Sequence, residues 1–229
     1  MHFSLITPTP GQERSAAHDW ARNAYEEHQW LWRFLPAPVG SARKFVFRRR
    51  DADGLPRFYV VADRVPQSPS PHWQVQSRPY EPSLQAGDRL AFELRANPVV
   101  TLKNAQGQAA RHDVVMQAKT QLLKARHLAH WAHWTMPDRP PLQTLVQQSC
   151  GDWLHARCER LGIALDDEYL QVEGYERHRG KRGELQFSTV DFTGRLTVVD
   201  PAALRAALFH GVGHAKAFGC GLLLIRPIS

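Results

Sequence analysis

The chain has 229 residues, of which 43% are hydrophobic, and a formal net charge of +7 at pH 7. This length and apolar content suffice for a buried core in one large or two small domains, which excludes a disordered chain. The basic surplus favours a polyanionic partner, either nucleic acid or an anionic membrane surface, over an acidic protein.

Cysteines and apolar runs indicate where the protein resides. The three cysteines, Cys150, Cys158 and Cys220, do not have the spacing of a metal knuckle or a disulfide framework. No apolar run approaches the ~20 residues that span a membrane, and residues 1–10 lack the features of a signal peptide. We therefore expect reduced thiols and a cytoplasmic protein without a membrane partner.

The first half of the chain predicts a strand, a helix and three further strands. The helical pattern from Ser15 to Leu35 ends at Pro36, whereas residues 66–88 contain five prolines and predict a long surface loop with little regular structure. The predicted strands cover residues 2–7, 43–50, 55–64 and 89–98. The order is therefore β-α-β-β-(loop or helix)-β.

The second half repeats this order of elements without a close sequence repeat. Strands are predicted at residues 113–116, 168–178, 184–199 and 220–228, and helices at 119–134, 142–161 and 200–211. The βαββαβ order is typical of the ferredoxin-like fold, a common RNA-binding scaffold. We predict an α+β chain of two tandem ferredoxin-like (RRM-like) domains, residues 1–105 and 106–229.

A glycine-rich stretch, residues 210–221 (HGVGHAKAFGCG), follows the last predicted helix, and we call it the glycine loop. Its glycines are Gly211, Gly213, Gly219 and Gly221. In one interpretation the backbone N–H groups, Lys216 and a protonated His214 bind a phosphate that approaches the main chain closely. In the other, the glycines only permit a tight helix-to-strand corner. The spacing of the glycines is compatible with both interpretations, and it matches no established phosphate-loop motif.

Residues 177–183 form the tip of a basic hairpin between two predicted strands. Its basic side chains are Arg177, His178, Arg179, Lys181 and Arg182. A charge run is often only a solvated turn, but a protruding basic hairpin in a net-basic chain suits a nucleic-acid groove. We therefore predict that this basic hairpin binds phosphates.

Tyr25 and His28 lie three residues apart on the first predicted helix and share one face. Histidine exchanges a proton near neutral pH and tyrosine donates a hydrogen bond, so the pair suits acid–base chemistry at a phosphate. The alternative is that His28 is a packed residue on a helix rich in tryptophan.

The other histidines favour no metal site. His127, His130 and His133 recur every three residues without an acidic or cysteine partner nearby, which favours a solvated helix face. His210 and His214 are four residues apart, but the glycines between them argue against a helical metal pair. We therefore expect neither a metal ion nor a small-molecule cofactor.

Four stretches together resemble the CasE family, the type I-E CRISPR-associated endoribonucleases that are subunits of the Cascade surveillance complex. They are YEEHQWLWRFLP, FELRANP, FTGRLTVVD and GVGHAKAFGCGLLLI, and the resemblance covers nearly the whole chain. It implies two ferredoxin-like domains that bind the stem-loop of CRISPR repeat RNA and cut at its 3′ base without a metal ion. Other Cascade subunits are then expected partners.

The resemblance also assigns residues. The family's helix histidine falls on His28, its tyrosine on Tyr25 and its glycine-loop lysine on Lys216, which implies catalytic roles for these three. RNA contacts fall on the basic hairpin, most clearly on Lys181, and we extend them to the glycine loop. The sequence departs from the family at Val100, where lysine is frequent, and in residues 126–160, a longer and more tryptophan-rich connection.

Three other functions are weighed against this one. A non-catalytic RNA-hairpin-binding subunit would share the fold and the basic hairpin, but it would not need to keep both Tyr25 and His28. A metal-dependent hydrolase would use the many histidines. A basic DNA-binding domain is disfavoured, because the sequence has no helix-turn-helix or zinc signature.

Overall fold

Two four-stranded antiparallel sheets form the frame of the chain. The computed structural model describes residues 1–20, 24–38, 40–103, 106–179 and 186–228. In chain order its strands and helices are β1 (His2–Pro8), α1 (Glu13–Asp19), α2 (Ala24–Trp32), β2 (Phe45–Ala52), β3 (Leu55–Ala62), β4 (Trp73–Pro79), β5 (Arg89–Ala96), β6 (Val99–Lys103), β7 (Ala109–Asp113), α3 (Val114–Ala125), α4 (Leu142–His155), α5 (Cys158–Leu161), β8 (Ile163–Arg179), β9 (Gln186–Val198), α6 (Pro201–His210) and β10 (Leu223–Pro227). Short 3-10 turns cover Trp131–His133 and Lys216–Phe218.

The two sheets have equivalent strand orders. The first is β2-β3-β1-β4 and the second is β10-β5-β9-β8, so in each unit the first and third strands lie at the centre. This is the arrangement of the ferredoxin-like βαββαβ unit, which confirms the predicted fold class. Residues 63–72, all of them described, contain no helix between β3 and β4, so the loop alternative is correct for the first unit.

Two strands differ from the prediction. β4 forms within the predicted loop and pairs antiparallel with β1. Among its residues only Trp73 is buried, so this polar edge strand lacks the apolar alternation that marks a strand. β5, predicted to close the first domain, instead pairs with β9 and β10 in the second sheet. A boundary after residue 105 would separate β5 from its sheet, and we propose that the units divide at residues 80–88.

The helices also differ in detail from the prediction. The first predicted helix is divided into α1 and α2. The stretch DVVM was predicted as a strand but begins α3, because the Asp113 carboxylate accepts a hydrogen bond from the Met116 N–H at 2.8 Å and caps the helix. Before this helix, β6 and β7 pair antiparallel where the sequence predicts a polar loop, and most of their side chains are exposed.

Each sheet covers its own apolar core, and a small third cluster joins the two. In the first core Trp30 meets Trp73 and Phe58 with ring centroids 4.6 and 5.0 Å apart. In the second core Trp153 of α4 stacks on Phe192 of β9 at 5.9 Å. The third cluster is formed by Val46, Val61 and Leu222, from both units.

A buried ion pair also links the sheets. Arg48 of β2, whose side chain is 8% exposed, donates to the Asp191 carboxylate of β9 at 3.1 Å. Arg95 of β5 binds the same carboxylate with two hydrogen bonds, of 3.1 and 2.7 Å. Burial lowers the pKa of Arg48 to about 10, and the attraction of Asp191 opposes that shift. The shared carboxylate therefore offsets the cost of burying a guanidinium between the two units.

Replacing Asp191 by alanine should lower the free energy of unfolding by about 3 kcal/mol, because the buried Arg48 would lose its hydrogen-bonded partner and keep only the longer contact with Glu93, at 3.7 Å, among the described residues. Urea denaturation followed by tryptophan fluorescence measures this change. The matched control is Asp51→Ala, which removes an exposed partner of Arg49 and should cost less than about 1 kcal/mol. Equal effects of the two variants would contradict the structural role assigned to the buried pair.

Candidate functional site

The helix that carries His28 and the loop that carries Lys216 come together at the junction of the two units. The turn Lys216–Phe218 contacts both α2 and β2. The charge of Arg43, just before β2, acts on both His28 and Lys216. The structure thus brings together two predicted catalytic residues that lie far apart in the sequence, and it adds Arg43 to them.

His28 is half-buried between aromatic rings. Its imidazole stacks on Phe45 with ring centroids 6.4 Å apart, and its Nε2 accepts a hydrogen bond from the Trp32 indole N–H at 3.2 Å. Its Nδ1 is buried and has no hydrogen-bond partner among the described residues. Burial, and then the positive charge of Arg43, lower the pKa of His28. His28 is therefore neutral at pH 7, in the form that accepts a proton.

Lys216 is half-buried at the edge of the glycine loop. Its Nζ donates a hydrogen bond to the His210 carbonyl at 2.8 Å, which uses one of the three donors of an ammonium group. Burial lowers its pKa, and the positive charges of Arg43 and Arg160 lower it further. The charges that act on this lysine are thus basic ones, as at a site that awaits an anion.

The glycines at both ends of the loop are explained by contacts within the protein. Gly211 and Gly221 have φ angles of +74° and +91°, and the Val212 N–H donates to the Gly221 carbonyl at 2.8 Å. A Cβ atom on Gly221 would lie 2.7 Å from the Val212 carbonyl oxygen. The helix-to-strand corner therefore requires these glycines. Phosphate binding by Gly211, Gly213, Gly219 and Gly221 stays a prediction.

His214 lies on the exposed side of the glycine loop, near several arginines. Burial lowers its pKa, followed by the charges of Arg111, Arg157, Lys216 and Arg160. The protonated form considered for His214 is therefore disfavoured in the free protein. Arg157 stacks on the Trp153 ring at 3.9 Å and donates to the Trp153 carbonyl at 2.6 Å, so it is held in place.

The basic hairpin is connected to the glycine loop by stacked rings. His178 of β8 stacks on Phe187 of β9 at 4.7 Å, and Phe187 stacks on Phe218 of the Lys216 turn at 4.9 Å. Arg177 is exposed and contacts the Met116 sulfur at 3.8 Å. The side chains of Arg179, Lys181 and Arg182 lie outside the described part of the chain, as does that of Tyr25.

The sequence RANP, at the end of β5, makes hydrogen bonds that connect the elements next to the glycine loop. Arg95 binds Asp191, and the buried Asn97 amide donates to the Ser188 carbonyl of β9 at 2.8 Å. The Pro98 carbonyl accepts from the Val114 N–H at 3.0 Å, at the start of α3. These contacts join β5, β9 and α3 next to the glycine loop, so the motif has a structural role.

Comparison with known proteins identifies the family. Residues 1–227 match the family described as CRISPR associated protein. The "CRISPR-associated endoribonuclease Cse3" of Thermus thermophilus is 30% identical over 93% of this chain and 94% of its own. The chain belongs to the CasE family. The "CRISPR system Cascade subunit CasE" of Escherichia coli is 29% identical over 93% of this chain and 96% of its own.

A solved structure of the CasE family supports the same assignment. The structure of "CRISPR endoribonuclease Cse3 bound to 19 nt RNA" is 28% identical to this chain. It covers 99% of this chain and 98% of its own, with a TM-score of 0.68. The likeness thus extends over both ferredoxin-like units, including α2 and the glycine loop.

The tryptophan-rich connection at residues 126–160 packs against the core of the second unit. Trp134 is 2% exposed, and Arg126 lies over its ring at 4.3 Å. Trp131 packs against the second core. His130 and His133 are 5.2 Å apart, but the described residues contain no group of three or more potential metal ligands. No helix in the described ranges is long and apolar enough to cross a membrane.

Sequence reasoning missed the arginines around the site. Arg43 precedes β2, Arg111 lies in β7, and Arg157 and Arg160 lie at the start of α5 and within it, so the four belong to no common motif. Arg43 begins the strand-like run RKFVF, and a basic residue at the end of a strand is ordinarily exposed to solvent. A basic residue next to a predicted strand is too common a pattern to identify a site, and only the folded chain places Arg43 near His28.

Proposed function

We propose that this CasE-family chain binds the stem-loop of CRISPR repeat RNA, cleaves it at its 3′ base and remains bound as a Cascade subunit in the cytoplasm. The observation that carries the proposal is the meeting of a neutral histidine, Arg43 and Lys216 at the junction of the two units. The names of the relatives, a Cascade subunit and an endoribonuclease, and the RNA-bound structure support it.

Cleavage would proceed by attack of the 2′-hydroxyl on the adjacent phosphorus. As the O2′–P bond forms and the P–O5′ bond breaks, O2′ loses a proton and O5′ gains one. The products are a 2′,3′-cyclic phosphate and a 5′-hydroxyl. Neutral His28 suits the acceptance of the first proton, and such acid–base assistance contributes roughly 10²–10⁴-fold. Tyr25, one turn earlier on α2, would donate the second.

Charge develops on the phosphate oxygens during this step. Lys216 and Arg43 are the main donors proposed to stabilise it, since fixed donors act most strongly where water is excluded. The N–H groups of Gly211, Val212, Phe218 and Gly221 already donate to backbone carbonyls, so only the other N–H groups of the glycine loop are proposed to assist. The basic hairpin would hold the stem through its phosphates, because the deep major groove of A-form RNA hides the base edges from side chains.

The experiment is cleavage of the repeat RNA in EDTA, with a second RNA that carries a single 2′-deoxy nucleotide at the cut site. We expect the first RNA to be cut to a 2′,3′-cyclic phosphate product and the second to be bound but left whole. Cleavage of the deoxy RNA would contradict 2′-hydroxyl attack, and dependence on added metal would favour a metal-dependent hydrolase. Tight binding without any cleavage would identify an RNA-hairpin-binding subunit.

A further inference from the structure

The hydrogen bond from Trp32 to His28 is compatible with only one protonation state of the imidazole. The indole follows His28 by one helical turn on α2, and its Nε1–H donates to His28 Nε2 at 3.2 Å. An indole nitrogen can only donate, so Nε2 must be the acceptor. The imidazole is then neutral and carries its proton on Nδ1.

Packing fixes the indole in this position. The Trp32 ring meets Phe45 edge to face with centroids 5.2 Å apart, and the His28 ring stacks on the same Phe45. The rings of His28 and Trp32 also meet edge to face, at 6.3 Å. Phe45 is 3% exposed, so the three rings form one unit at the edge of the first core.

The charge that acts on His28 is basic, because burial and then Arg43 lower its pKa. The neighbouring carboxylates on α2 are Glu26 and Glu27, and Glu27 is 3.4 Å from Arg49 of β2. Before β2, Lys44 lies 3.8 Å from Asp63, and Arg43 lies over the Phe45 ring at 5.8 Å. In the glycine loop, Lys216 adds a basic group.

Arg43 is thus the charge that acts on His28, and it is positive. Arg43 forms no ion pair with any residue in the described ranges. Its charge and the indole hydrogen bond favour the same neutral imidazole, the first by repulsion and the second by using the Nε2 lone pair.

We propose that Trp32 is a positioning residue for RNA cleavage, whose indole N–H keeps His28 in the neutral, Nδ1-protonated tautomer until the 2′-hydroxyl at the cut site replaces it at Nε2. The part of this inference that concerns the 2′-hydroxyl rests on the proposed function. The 2′-hydroxyl would donate to Nε2 in place of the indole and then transfer its proton there as the O2′–P bond forms. The residue acts through His28 and has no contact of its own with the reacting atoms.

The decisive measurement is the nitrogen NMR spectrum of ¹⁵N-histidine-labelled, RNA-free protein over a pH series. The resonance of His28 is identified by its loss in His28→Ala. In the wild-type protein we expect a neutral His28 with its proton on Nδ1. A neutral His28 protonated on Nε2 would overturn the proposal. The wild-type protein alone can show this, so the test does not depend on whether a Trp32 variant folds.

The variant Trp32→Phe keeps a ring but removes the N–H. We expect its protonated-to-neutral ratio at His28 to rise about three- to tenfold at a given pH, because one hydrogen bond to the neutral form is lost. The tautomer should no longer be confined to Nδ1–H. Arg43→Gln should also raise the ratio, by removing repulsion, but should leave the tautomer unchanged.

The matched control is Trp30→Phe on the same helix, whose indole nitrogen has no hydrogen-bond partner in the described part of the chain. It should leave both properties of His28 as they are in the wild type. In single-turnover cleavage, the acid limb of the pH–rate profile should move to higher pH in Trp32→Phe. An absence of cleavage in every protein would count against the proposed function, whereas normal cleavage with an unshifted profile would count against Trp32 alone.

Discussion

Replacing His28 by alanine should slow single-turnover cleavage of the repeat RNA by roughly 10²–10⁴-fold, the contribution of a positioned acid–base group. The affinity for the stem-loop should change little, because His28 is half-buried and neutral and therefore offers no charge to the RNA backbone. Rate and affinity are measured separately, by rapid mixing with excess protein and by titration of the 2′-deoxy RNA.

The control for this variant is His18→Ala, which removes an exposed histidine in the last turn of α1. It should cut at the wild-type rate. If His28→Ala cut equally fast, His28 would be a packing residue of the Phe45 and Trp32 cluster, and the proposed active centre would be wrong.

Replacing Lys216 by alanine should lower the cleavage rate by about 10²–10³-fold, as expected for the loss of one donor to a developing phosphate charge. The stem-loop affinity should fall by less than about tenfold, since the basic hairpin makes most of the proposed phosphate contacts. The fold of the loop should survive, because the Lys216 side chain donates only one hydrogen bond within it, to the His210 carbonyl.

The matched control is Lys44→Ala. Lys44 is an exposed lysine just before β2, the strand that the Lys216 turn contacts, and its Nζ lies 3.8 Å from the Asp63 carboxylate. It lowers the net charge by the same amount and should leave the cleavage rate within about twofold, as expected for an exposed ion pair. Loss of affinity and rate by the same factor in Lys216→Ala would place this lysine in general RNA binding instead of at the scissile phosphate.

The sequence allowed the fold class to be predicted but not the membership of each sheet. Local periodicity identifies most of the strands and helices, which is enough for the fold class. It does not give the units their right strands: β5, predicted to close the first unit, belongs to the second sheet, and the stretch DVVM, predicted to open the second unit, is part of a helix and its cap. The pairing of β5 with β9 and β10 depends on contacts between distant segments, and no local pattern reports it. β4 was missed because an edge strand with mostly exposed residues needs no apolar alternation.

The candidate site, like the fold, could be predicted only in part from the sequence. His28 and Lys216 were selected from residue types and a family resemblance, and the structure places both at the junction of the two units. Their catalytic roles stay predictions, as does that of Tyr25. Arg43 and Trp32 could not be selected, because the effect of each on His28 depends on the packing around Phe45.

The position of β5 has a consequence for how the protein is made. β2 and β3 are adjacent in the sequence and can pair as soon as they are synthesised, whereas β5 must wait for β9 and β10. Contacts between such distant segments form slowly, because the intervening chain must first be brought together. The Lys216 turn lies between the last helix and the last strand, so the site is complete only after residues 223–227 have been translated and β10 has docked on β5. We therefore expect a nascent or truncated chain that lacks β10 to cut RNA poorly, even with His28 already in a folded first unit.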